Sequence, residues 1–182
     1  YYKKTMAIPG APAIAKRLYA DAAFKVTDYR TAWENWLEDY ETAEDDRIKK
    51  IASNHLYQVR SAVDMALLTE AGISRAIVSS TPGEGAERLY RHAPERVVPF
   101  LRPYRTRANR YDWFRDPEIL SWVHARLERV PYRGIGEFHV FGDDAGSPVV
   151  QEVIDIARER GMTLMAHTDL AGIASILARA AG

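Results

Sequence analysis

Apolar residues recur along this chain with two periods, and the change of period divides it. In "YRTAWENWLEDYETAEDDRIKK", residues 29–50, Trp33, Trp36, Leu37 and Tyr40 stand three and four apart, the spacing of an amphipathic helix. The charges that close it, Glu44, Asp45 and Asp46 before Arg47, Lys49 and Lys50, read as a solvated helical face. From about residue 61, helical stretches alternate with short β-rich runs. "SAVDMALLTEAG" reads as a helix stopped by Gly72, and "SRAIVSS" as a buried strand. "EGAERLYRHAP" is a helix ended before Pro94, and "RVVPFL" a strand whose Pro99 marks an end or an irregularity.

The alternation continues to the last residues. "RDPEILSWVHARLERV" opens with an aspartate cap and a first-turn proline, and the strand "YRGIGEFHV" follows it. "SPVVQEVIDIARERG" repeats the pattern with a serine cap, a proline first turn and a glycine stop, and leads to the strand "MTLMAH" and the helix "LAGIASILARAA". Strands alternating with helices of this length imply parallel strands joined by right-handed crossovers, hence an α/β fold. Four strands suit a small sheet or half of an eight-stranded barrel, and the pattern is common to a barrel segment and a doubly wound sheet. The expected organisation is a helical N-terminal extension over residues 1–50 and a (β/α) region over residues 51–182.

Composition narrows the chemistry. Among 182 residues, Lys plus Arg and Asp plus Glu number 25 each, so no overall field draws the chain to nucleic acid or an anionic membrane. There is no cysteine, which removes thiolate nucleophiles, thiolate metal sites and disulfides. A metal would rest on His, Asp or Glu. No apolar run reaches the ~20 residues of a membrane span. The start "YYKKTMAIPGAPAIAKR" lacks the apolar middle of a signal peptide, so a cytoplasmic location is expected.

In parallel α/β folds the active site lies at the carboxyl ends of the strands. Those ends carry Ser79, Ser80 and Thr81; Arg102, Tyr104 and Arg105; Glu137 and His139; and His167, Thr168 and Asp169. Strict alternation puts Ile135, Glu137 and His139 on one face of their strand, with Gly136, Phe138 and Val140 on the other, and puts Thr163, Met165 and His167 on one face of the next. Glu137 and His167 can then converge on one divalent ion, zinc first and manganese or iron after it, with His139 as a further candidate ligand. A carboxylate inside an apolar strand must be paired, protonated or metal-bound. Arg102 and Arg105 match a carboxylate or phosphate, and Asp169 joins them as a candidate substrate contact. His92 and His124 lie in helical stretches and read as surface or packing residues.

Residues 62–182, with "LLTEAGISRAIVSSTP", "LYRHAPERVVPFLRPYR", "WFRDPEIL", "YRGIGEFHVFGDD" and "ARERGMTLMAHTD", resemble bacterial amidohydrolase-related proteins, metal-dependent hydrolases of the TIM-barrel amidohydrolase superfamily. The resemblance implies a (β/α) barrel whose mono- or binuclear metal site activates water against a small amide, ester or carboxylated substrate. In that family the acidic residue of the "GE" strand and the histidine ending the next strand are metal-site positions, which correspond here to Glu137 and His167. Members open with a strand ending in a His-x-His pair, where this chain reads "IASNHLYQ" with His55 alone, which the resemblance makes a further candidate metal ligand. They also continue through later strands that supply another histidine and a catalytic aspartate. The expected fold is thus a partial barrel of TIM type. It is either a metal-dependent hydrolase or a non-catalytic subunit on a half-barrel, docked through its aromatic N-terminal helix. Exposed sheet edges make a homo-oligomer or a larger complex the expected state.

Overall fold

The structure is a computed structural model that describes residues 13–181; residues 1–12 of the expected extension lie outside the described residues. The chain divides after Ile73 into two compact units.

The first unit is helical: α1 (Ala13–Lys25), α2 (Tyr29–Thr42) and α3 (Asp46–Glu70). Asp28 and Asp45 cap α2 and α3, accepting hydrogen bonds from the backbone N–H of Thr31 and Arg47. Trp36 is buried against Ala20 and Ala52, and Ala32 against Ala23 and Val59, so small residues bring the three helices close. Trp33 and Tyr40, which share the expected apolar spacing with Trp36, remain 37 % and 44 % exposed.

The expected boundary at residue 50 is corrected by α3. The stretch from Asp46 to Glu70 contains no glycine or proline, so nothing interrupts the helix, and residues 51–72 belong to the helical unit rather than to the (β/α) region. The helix ends where expected, with Gly72 at a left-handed φ of 70°.

The second unit is built on four parallel strands, β1 (Ala76–Val78), β2 (Val97–Leu101), β3 (Gly134–His139) and β4 (Thr163–His167), adjacent in the order β1-β2-β3-β4. The connections carry α4 (Glu84–His92), α5 (Glu118–Leu127) and α6 (Pro148–Glu159), and α7 (Leu170–Ala181) follows β4. Mixed α/β architecture with a parallel sheet is therefore as the alternation of periods required. Pro99 does not interrupt β2: it stands opposite Val78, the last residue of β1, while its carbonyl accepts a hydrogen bond from the N–H of Arg133. One core, including Leu101, Trp113, Ile135, Phe138, Val150 and Ile154, runs from the sheet to the helices. His92 and His124 lie on the surface of α4 and α5.

Strict alternation fails inside β3. Ile135 pairs with Leu164 and Gly136 with Met165, but Phe138 pairs with Ala166, so Glu137 is an extra residue without an opposite number. This is a β-bulge. Because Leu164 and Ala166 share a face of β4, Ile135 and Phe138 share a face of β3, and both are fully buried. The expectation that Ile135 lies with Glu137 and His139 is corrected by that inserted residue. Gly136 makes the bulge possible: its φ is 148°, and a Cβ there would lie 2.3 Å from the carbonyl oxygen of Met165.

Candidate metal centre

The carboxyl ends of β2, β3 and β4 bring Arg102, Glu137, His139 and His167 into one cavity of about 410 Å³, with Thr81, Tyr104, Arg107 and Arg110 completing its wall. Oε1 of Glu137 lies 2.7 Å from Nε2 of His167, and Oε2 accepts a hydrogen bond of 2.8 Å from Nη2 of Arg102. Arg102 in turn donates through Nη1 to Thr81 Oγ1 at 3.3 Å. The Tyr104 hydroxyl donates to the carbonyl of Glu137 at 3.2 Å, tying the loop after β2 to the bulge.

His139 and His167 are paired across the β3–β4 ladder, with ring centroids 4.7 Å apart. The carbonyl of His139 accepts from the indole of Trp113 at 3.0 Å, and Tyr111 meets the imidazole edge-on. Burial, and then electrostatic repulsion from the His167 and Arg110 side chains, hold the His139 imidazole below its ordinary pKa, which favours the neutral ring. Burial pushes the Tyr104 phenol up, so it remains a hydrogen-bond donor.

One ligand atom each from Glu137, His139 and His167 falls within 4.8 Å of the others. Nδ1 of His139 is buried and has no hydrogen-bond partner, an arrangement that costs free energy unless something else satisfies the nitrogen. A carboxylate and two imidazoles form a donor set suited to zinc and acceptable to manganese or iron. The residues present therefore fit a divalent cation.

The other candidate residues are placed elsewhere. His55 is on helix α3, not on a strand; its ring stacks on Trp36 at 4.0 Å and its Nδ1 lies 3.6 Å from Asp21. Its neighbours account for it without a metal. Arg105 pairs with Asp116 and, at 3.5 Å, with Glu118, so its charge is spent on the start of α5. Asp169 accepts from the N–H groups of Gly142 and Gly172, and these bonds hold its carboxyl below the usual range. It fastens the start of α7 to the loop after β3 and is not a cavity residue. Arg107 and Arg110 went unmarked in the sequence because they lie beyond the strand end, in "RTRANRY". Two arginines three apart in the loop that follows a strand were the available signal.

A larger cavity, about 510 Å³, lies among α6, β4 and α7 and is lined chiefly by apolar side chains such as Ile154, Leu164 and Ile176. It contains no cluster of titratable groups. Among the described residues, no helix is long and apolar enough to cross a membrane. No family model, curated protein or solved structure matches the chain.

Proposed function

We propose that residues 74–182 form a segment of a TIM-type (β/α) barrel and that the chain is a metal-dependent hydrolase acting on a small amide, ester or carboxylated substrate. The strand order supports the barrel reading. Sequential order throughout means that right-handed crossovers carry every connecting helix to the same face, whereas a doubly wound sheet reverses its order.

The hydrolase reading rests on one observation: Glu137, His139 and His167 present their ligand atoms together, inside a cavity at the carboxyl ends of the strands. A divalent cation held by Glu137, His139 and His167, zinc foremost, would lower the pKa of water toward neutrality and act as a Lewis acid toward a carbonyl. Glu137 supplies the negative charge of the site, and Arg102 fixes the orientation of its carboxylate. His139 and His167 would each supply an imidazole nitrogen. The Tyr104 hydroxyl holds the backbone of the bulge and so the direction of Glu137.

The deciding experiment is elemental analysis after zinc loading and dialysis, on the native chain and on Glu137→Ala, His139→Ala, His167→Ala and His55→Ala. One bound zinc is expected in the native chain and in His55→Ala, with loss in the other three. Equal zinc content throughout would sink the reading.

A second reading, a binding subunit that docks through its helical unit, is favoured by the groove that Trp33, Tyr40, Leu56, Tyr57 and Arg60 line on α2 and α3. Trp33, Tyr40 and Tyr57 are all exposed there, and exposed aromatics in a groove are common at docking surfaces. It calls for a homo-oligomer or a larger complex. A monomeric mass by light scattering at working concentration would count against it.

A further inference from the structure

We propose that the cavity holding Glu137, His139 and His167 also contains an oxyanion subsite, formed by Arg107 and Arg110, that takes the carboxylate or phosphate group of a small molecule. Three arginines line this cavity and only one carboxylate does. That carboxylate, Glu137, is already engaged by Arg102 at 2.8 Å. Two guanidinium charges are left without an acidic counterpart: among the described residues, neither Arg107 nor Arg110 has a carboxylate within ion-pair distance.

Local structure aims the two side chains together. Arg107 precedes, and Arg110 belongs to, the 3₁₀ helix Ala108–Tyr111. Side chains three apart eclipse one another in that geometry. Arg110 is steadied by its own neighbour, with its guanidinium 4.6 Å from the centroid of the Tyr111 ring and Nη2 donating to the Tyr111 hydroxyl. Most of its N–H groups remain for a ligand. Tyr111 also packs edge-on against His139, so the short helix that carries the arginines is keyed to the candidate ligand. Both arginines are exposed, and they share the cavity wall with a carboxylate–imidazole cluster, where two forks can close on one oxyanion.

The cavity volume of about 410 Å³ limits the guest to a small molecule. Identifying the anion as part of a substrate rests on the hydrolase reading; its binding does not. A substrate held by its anionic end at Arg107 and Arg110 would present its other end to Glu137, His139 and His167.

The test is calorimetric titration of the 182-residue chain with inorganic phosphate and, separately, with malonate, each on zinc-loaded and chelator-treated protein. At least one anion is expected to bind, and Arg107→Ala/Arg110→Ala to weaken it by about tenfold or more. The variant is expected to keep its zinc content and circular dichroism spectrum, and Arg107→Lys/Arg110→Lys to retain part of the affinity. Preference between the two anions separates a phosphate from a carboxylate subsite. Failure of both anions to bind either form, or equal binding by the native and double-alanine chains, would overturn the proposal. Anion binding that survives in a Glu137→Ala chain devoid of zinc would support this subsite even if the hydrolase reading had failed.

Discussion

His167 Nε2 sits 2.7 Å from Oε1 of Glu137, while the other oxygen of that carboxylate is taken by Arg102. Arg102 therefore stands close to any cation that Glu137 would hold. Two positive charges a few ångströms apart repel appreciably at protein dielectric constants. Arg102→Ala is expected to raise zinc affinity by about tenfold, measured by competition with a chromophoric chelator. A weaker affinity would mean that orienting Glu137 matters more than the repulsion.

Gly136 tests the bulge. A side chain at that position would meet the Met165 carbonyl and would be forced into a φ that L-residues avoid. Gly136→Ala is expected to cost about 1–3 kcal/mol in urea unfolding, and to reduce zinc uptake because Glu137 and His139 follow directly. Unchanged stability would show that β3 can relax around a methyl group.

The fold was legible where local chemistry and period agreed. The serine cap and proline first turn at Ser147 and Pro148 open α6 as read, and "MTLMAH" is β4 with His167 at its end. The meeting of Glu137 with His167 was also legible, because neighbouring strands put their carboxyl ends together. Two things were not. Uninterrupted helical spacing through residues 46–70 cannot say which unit a helix packs in, so "IASNHLYQ" was open to reading as part of the (β/α) region. And an inserted residue leaves no mark in an apolar/polar pattern as short as "GIGEFH". Only pairing with β4 reveals that Ile135 and Phe138 fall on the same side.

Glu87 carries the main buried charge outside the cavity. It is 2 % exposed, pairs with Arg126 at 2.9 Å and accepts from the Tyr132 hydroxyl at 3.0 Å. Burial, followed by the nearby Glu87 charge, pushes the Tyr132 phenol far up, so the hydroxyl stays a donor. Glu87→Ala would strand Arg126, which is also buried, with only Glu84 at 2.6 Å. A loss of about 3 kcal/mol is expected in denaturant titration, with a smaller loss for Glu87→Gln. A change within about 0.5 kcal/mol for the alanine variant would show that Glu84 and water suffice.

Asp155 gives the acid limb of stability a specific contributor. Hydrogen bonds from Arg179, on α7, hold its carboxyl below the usual range, and Arg158 adds a further contact at 3.0 Å. A depressed folded-state pKa stabilises the fold fully above the unfolded carboxyl value, about 4, and the contribution is lost as pH falls through the lowered value. The Tm gap between the native chain and Asp155→Asn should therefore be widest near neutrality and shrink below about pH 4. A gap that does not vary with pH would remove the charge from the explanation.

The extra residue in β3 also has a consequence for how this sheet can change over time. On a regular strand, any insertion or deletion exchanges the two faces together, so the cavity side cannot be edited without exposing the core side. Here the offset is absorbed at Glu137, between a glycine and a fully buried phenylalanine. The two faces of β3 are thereby uncoupled at one point, and the residues offered to a ligand can be exchanged while the helices continue to meet the same inner surface.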